Sequence, residues 1–324
     1  MKIMILILLL SLTACKSKDT SDEIFVASMA IDKIDDTYNG YFYIPSSIEV
    51  GSGTAKSDAK GKIGEAKADK IIDLFYEISF SASLKINFGH ISTLILHESV
   101  LNHQDINELL QFLKNSTRFD FNFYILSTNV DAKDIYSLTS SNNEALITTM
   151  LTEPQKAYEV YVSTPPLHYL NFSRDFYENK TIKLPLIELK EEWKLDEDVK
   201  SYMARGISFI DKDKALCYSY KELDFRYLNS TKGLFYSDNN ITFTIINYDI
   251  SIKYNDDIVI SVKGRLEDYD KSIKLDPNEI IKAQIEDIIK SLYDECDFLN
   301  LEYYNKLYKK NYNIENIKYQ IKIK

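Results

Sequence analysis

Ile24-Phe25-Val26-Ala27-Ser28-Met29-Ala30-Ile31 is followed, across a short polar stretch, by Gly40-Tyr41-Phe42-Tyr43-Ile44. The first run has the length of a strand and is apolar on both faces. The stretch from Asp32 to Gly40 carries Asp35, Asp36 and Asn39, which favour turns. Pro45 stops the second run. Two strands joined in this way predict a β-hairpin.

Toward the C-terminus, small and polar residues from Ser46 to Lys62 read as an exposed loop. Ala68, Ile71, Ile72, Phe75 and Ile78 recur at three- to four-residue spacing, which predicts a helix. Leu84 to Phe88 leads through Gly89-His90 into a strand at Ile91–Leu96. A helix from about Gln104 turns Ile106, Leu109, Leu110 and Leu113 inward. Phe121 to Leu126 alternates as a strand, and Asp131 can cap a short helix carrying Ile135 and Leu138. Strands and helices alternate across residues 24–140, so an N-terminal α/β domain with a central sheet is expected there.

Between 141 and 199 the pattern weakens. Glu144 to Leu151 suits a helix, and Pro154, Pro165, Pro166 and Pro185 punctuate the rest. Lys190 to Lys200 is charged and reads as a solvated helix face. This is expected to be a middle or connecting region, with a boundary near residue 200. Residues 200–324 then carry strands at Gly206–Ile210 and Ala215–Tyr220, and a short helix at Lys221–Leu228. Three more strands follow at Ile241–Ile246, Asp249–Tyr254 and Ile258–Leu266. Pro277 opens a long helix with Ile280, Ile281, Ile285, Ile288, Ile289 and Leu292 on one face. A second helix is expected at Leu301–Tyr308, and a closing strand at Ile317–Ile323. The whole is expected to be α+β and multi-domain, each domain a mostly antiparallel or mixed sheet flanked by helices.

Toward the N-terminus, Lys2 precedes an apolar run from Ile3 to Leu12 that ends in Leu12-Thr13-Ala14-Cys15. The run is about ten residues, half the roughly twenty that a membrane-spanning helix needs. A secretory signal at residues 1–14 is the plain reading. With its cysteine, the segment resembles a bacterial lipobox, in which the thiol is diacylated and the cysteine becomes the first residue. Cys15 is thus the expected lipid-attachment site, and residues 15–23 a lipidated tether. An ordinary signal with a chance cysteine, or a buried N-terminal strand, is the competing reading. One acyl chain holds weakly while two hold durably.

Formal net charge is −10 over 324 residues. That disfavours nucleic acid as a partner, because phosphate binding needs a basic footprint. It also disfavours broad electrostatic docking on anionic lipid. Cys217 and Cys296 sit among apolar residues; two separate buried thiols are the favoured reading, and a disulfide between them is the alternative outside the cytoplasm. No nucleotide-binding, zinc-protease or serine-hydrolase motif is present in the chain. His90, His97, His103 and His168 read as solvated or hydrogen-bonded side chains rather than metal ligands. The 24 Tyr and 16 Phe could line a ligand pocket but more often fill cores and cover sheets. No catalytic, cofactor or metal site is therefore expected, and no ligand-binding residue can be named.

The order of these features resembles the C subunit of bacterial spore germinant receptors, the Ger(x)C family. The residues that carry the likeness are Phe25 to Asp32, then Asn87-Phe88-Gly89-His90 and Leu94-Ile95-Leu96-His97-Glu98. After them come Leu109–Leu113, Arg118, Phe121–Leu126 and Leu184-Pro185-Leu186-Ile187. The hairpin-then-helix at Gly206–Leu228, the long helix and the closing strand complete the order. Cys217 to Glu222 stands where the family has a Trp-Leu step, and Asp297-Phe298-Leu299-Asn300-Leu301 where it has a Gly-rich turn. The resemblance implies a non-enzymatic lipoprotein of the spore inner membrane, working with two integral-membrane partners, the A and B subunits, in sensing nutrient germinants. It also implies three α+β domains. Two rival readings are an anchored solute-binding protein, with two parallel-sheet lobes and a cleft at their hinge, and an anchored cell-wall enzyme, with a convergent carboxylate or histidine cluster.

Overall fold

The computed structural model describes residues 23–45, 61–137, 164–190, 201–211, 214–218, 225–238, 241–269 and 276–324. The expected signal segment, Cys15, the 46–60 part of the loop, the helix at Glu144–Leu151 and most of the 190–200 charge run lie outside them. The molecule is α+β. Among the described residues two sheets carry it, one of nine strands and one of four, with a two-stranded pairing where the described chain begins.

The hairpin of the opening stretch is present, but the single strand expected at Ile24–Ile31 breaks at Val26-Ala27, and Glu23–Phe25 pairs with Lys85–Asn87 instead. Strand β2 (Ser28–Ile34) runs antiparallel to β3 (Thr37–Ile44). The turn is only two residues, Asp35 and Asp36, with φ of 48° and 64°. Positive φ at both central positions makes a type I′ turn, whose twist matches that of the flanking strands. Only glycine occupies this region without steric cost. Asp36→Gly is therefore expected to raise stability by about 0.5–1 kcal/mol, read as a rise in the denaturant midpoint. The Lys33–Asp36 ion pair that this change removes is solvent-exposed and worth little.

Around this hairpin the large sheet takes the order β11-β10-β9-β7-β6-β2-β3-β4, with β8 (Leu167–His168) paired to β7. Strands β6 (Thr93–His97), β7 (Tyr124–Thr128) and β9 (Ile182–Lys190) continue parallel to β2, whereas β3, β4 (Lys62–Ala68), β10 (Ser201–Asp211) and β11 (Lys214–Tyr218) join antiparallel. One face is covered by helices α1 (Ile71–Ser81), α2 (His103–Asn115) and α4 (Tyr169–Tyr177). Phe42, Phe75, Phe88, Phe112 and Phe119 form an aromatic cluster within this core. The opposite face is covered around Ala30, Ile95 and Leu126 by α3 (Ala132–Ser137).

The second sheet runs β12 (Thr231–Asp238), β13 (Ile241–Tyr254), β14 (Ile258–Tyr269) and β15 (Ile317–Ile323). The closing strand is parallel to β14, which requires a crossover connection. Helices α5 (Pro277–Tyr293) and α6 (Leu301–Tyr308) lie within that crossover. Pro277 stands at the first turn of α5, the Asp276 carboxylate accepts the Asn278 N–H, and Ile281, Ile285, Ile288, Ile289 and Leu292 are buried.

Several elements differ from the sequence reading. The strands expected at Ile241–Ile246 and Asp249–Tyr254 are one strand, β13, with a register shift between Ile246 and Asp249. Asn247, at φ 53°, takes up the bulge. Lys62–Ala68, expected as loop and helix start, is an edge strand on β3. Of the helix at Lys221–Leu228, the described part is a 3₁₀ turn at Phe225–Leu228. Strands β9 and β10, on either side of the boundary expected near residue 200, pair antiparallel. Strands β10 and β11 extend the first sheet, while Ile207 and Phe209 on the other face of β10 belong to the second core. Likewise, β9, from the expected connecting region, sits inside the large sheet.

Candidate functional site

Cys15 lies outside the described residues, which begin at Glu23. Strand β1 (Glu23–Phe25) pairs in parallel with β5 (Lys85–Asn87). The Glu23 carboxylate is almost covered. It accepts hydrogen bonds from Lys85 Nζ at 3.1 Å and Asn87 Nδ2 at 2.6 Å. Phe25 packs edge-on against the His90 ring at 4.9 Å.

A second cluster lies at the carboxyl ends of the parallel strands, where open α/β sheets hold ligands. His97 is in register with Thr128 on β7, and Asp32 follows Ile31, which is in register with Leu96. The Asp32 carboxylate is buried, accepts Asn39 Nδ2 at 2.8 Å and accepts the Ala132 N–H at the start of α3. Burial raises its pKa and nearby Asp131 adds to the rise, while the Asn39 hydrogen bond and His97 oppose it. His97 Nδ1 lies 2.8 Å from Ser99 Oγ and accepts the Ser99 N–H. These contacts fasten α3 and the turn after β6.

The other histidines stand apart. His103 stacks on Phe176, and His168 caps α4 and faces Asn122. Among the described residues no three of His, Cys, Asp and Glu gather as metal ligands. No disulfide joins Cys217 to Cys296. Cys217 Sγ lies 3.1 Å from Ser208 Oγ, which accepts from Ser127 Oγ, and burial pushes its thiol pKa up. An open groove of about 430 Å³ runs between α1 and α2, lined by Tyr76, Phe112 and Arg118 among others.

Sequence reasoning missed the junction between the two cores. The Thr181 N–H donates to Asn300 Oδ1 at 2.6 Å, and Thr181 Oγ1 donates to the Asp297 carbonyl at 2.8 Å. The Asp297 N–H donates to Asp211 Oδ2, and its own carboxylate accepts the N–H groups of Leu301 and Glu302, capping α6. Asn300 sits at φ 59°. Lys183 Nζ lies 5.5 Å from the Phe298 ring centroid, and burial pushes its amine below the ordinary lysine range. The signal was Asn300 within Asp297–Leu301, since Asn is among the few non-glycine residues enriched at left-handed φ.

Burial also raises the Asp297 pKa, against the backbone hydrogen bonds that lower it. The folded state therefore holds this proton to higher pH than the unfolded chain does. Stability contributed here falls as pH rises from the unfolded value through the folded one. Asp297→Asn is expected to flatten that part of the curve, measured as denaturant midpoint against pH. An unchanged slope would place the titration elsewhere.

No helix among the described residues is long and apolar enough to cross a membrane. No curated protein matches the chain. A crystal structure of the GerBC protein is similar, with 16% identity over 91% of this chain and 96% of that one and a TM-score of 0.47. The family described as spore germination protein N-terminal domain matches residues 16–189, just over half of the sequence. That span runs from the residue after Cys15 through the hairpin, the parallel strands and most of β9, and the chain accordingly belongs to the spore germination proteins of the Ger(x)C family.

Proposed function

We propose that this protein is the lipid-anchored C subunit of a spore germinant receptor, held at the outer face of the cell membrane, the inner membrane of the spore. In this reading two acyl chains on Cys15 supply the anchor, and the body acts with two integral-membrane subunits, A and B, in nutrient-triggered germination. The observation that carries it is the family match, which begins at Lys16, immediately after Leu-Thr-Ala-Cys. The role is coupling rather than catalysis. Asp32, His97 and Asp297, the polar groups nearest to a constellation, are engaged in fixing α3, the turn after β6 and α6. Both main sheets mix parallel and antiparallel pairings, unlike the two parallel-sheet lobes of a solute-binding protein.

The test is isolation of the protein from spore membranes under mild detergent. Mass spectrometry of its N-terminal peptide is expected to show an acylated Cys15, and the A and B subunits are expected to co-purify. An unmodified Cys15 with the signal intact, or a protein isolated without either subunit, would sink this reading.

A further inference from the structure

Phe80 is 83% exposed, the most exposed large apolar side chain among the described residues, and Tyr76 and Leu84 are each 42% exposed. Helix α1 buries Ile71, Leu74, Phe75 and Ile78 against the sheet. Ile72, Tyr76 and Phe80 recur every four residues and form a second stripe along its flank. Leu84, three residues beyond the helix end, is likewise partly exposed. Such a run at the surface marks a docking face.

Its position says what it docks against. Leu84 directly precedes Lys85, whose Nζ is 3.1 Å from Glu23 Oε1, and Glu23 is the first described residue. Lys16 to Asp22 separates Glu23 from Cys15. Seven residues span at most about 25 Å when extended. Resting on the proposed acylation of Cys15, we infer that Phe80 and Leu84, with Tyr76 beside them, form a lipid-facing patch that presses into the bilayer interface next to the anchor. On the neighbouring flank Asp69, Asp73 and Glu77 outnumber Lys67 around Phe80, and the one cation over the Tyr76 ring among the described residues is Arg118. The contact is therefore apolar insertion rather than attraction to anionic headgroups, and the bilayer it suits is zwitterionic. The patch would fix the orientation of the body, which a single attachment at Cys15 leaves open.

The test uses the full lipoprotein in phosphatidylcholine vesicles. Trp193, the sole tryptophan, is replaced in a Trp193→Phe background. Phe80→Trp is then compared with Leu307→Trp, a change at an exposed site on α6. Flotation reports the anchor, and quenching by brominated phosphatidylcholine reports the patch. Floating protein in which the Phe80→Trp emission falls by about half while the Leu307→Trp emission holds is the expected result, since interfacial apolar faces sit roughly 5–10 Å into the headgroup boundary. Floating protein with the two emissions equally unquenched overturns the patch and leaves the anchor standing. Protein that fails to float overturns the anchor, and this inference with it.

Discussion

Phe75→Ala is expected to cost the first core about 3–5 kcal/mol, the range for truncating a fully buried phenylalanine. Phe75 is inaccessible to solvent. Its ring centroid lies 4.5 Å from Phe112, 5.4 Å from Phe119, 5.7 Å from Phe88 and 6.3 Å from Phe42. These partners come from α2, the loop after it, the turn after β5 and β3, so one ring ties four parts of the chain together. Two contributions add: the lost transfer of the ring from water, and the cavity that four rigid neighbours cannot fill. Phe112→Leu, on the half-buried side of the cluster, should cost less, because a leucine keeps much of the contact. Equilibrium denaturation of both variants checks the ranking. A Phe75→Ala loss below about 1 kcal/mol would mean that the cluster collapses around the gap.

The second large effect is at Cys15. Cys15→Ala is expected to transfer the protein almost wholly from the membrane to the soluble fraction wherever the signal is still processed. Each buried methylene contributes about 0.8 kcal/mol, so losing two acyl chains removes nearly all of the affinity. The apolar patch on α1 can retain only weak, reversible binding, and the acidic surface offers no broad electrostatic substitute. Fractionation and immunoblotting with an intact-signal control read the outcome. A Cys15→Ala protein that stays with the membrane at wild-type level, with the signal removed, would point to a partner subunit as the main attachment.

The parts of the fold that were legible are those fixed by local chemistry. The β2–β3 hairpin showed because both strands are buried on two faces and the turn is made of Asp residues that accept positive φ. Helix α5 showed through Pro277 and its isoleucine spacing, and β15 through strict alternation. Strand β4 did not show, because an edge strand carries Lys62, Glu65 and Lys67 outward and has too little apolar signal. The continuity of β13 was hidden by Asn247, which reads as a turn residue but supplies a bulge.

Long-range choices were illegible for a different reason. Strand β10 faces one core with Ile210 and another with Ile207 and Phe209, and nothing local says which sheet it joins. The junction bonds Thr181 to Asn300, 119 residues apart, a pairing that no window reveals. The proposed lipobox is the opposite case. Its chemistry requires neighbouring residues, so the candidate anchor could be read without a fold. Asn300→Gly tests the junction directly: it keeps the left-handed backbone but removes the acceptor for the Thr181 N–H. A loss of about 1–3 kcal/mol is expected from the donor left without that partner, measured by denaturation, and a neutral change would show that another acceptor takes its place.

The most direct measurement of the central claim is dipicolinic acid release from spores exposed to a panel of amino acids, sugars and salts. It compares a clean deletion, made where other receptors are also removed, with strains complemented by wild type and by Cys15→Ala. The account predicts that the deletion loses its response to some nutrients and that only wild type restores it. A deletion strain that releases dipicolinic acid normally on every nutrient to which the wild type responds would contradict the receptor role.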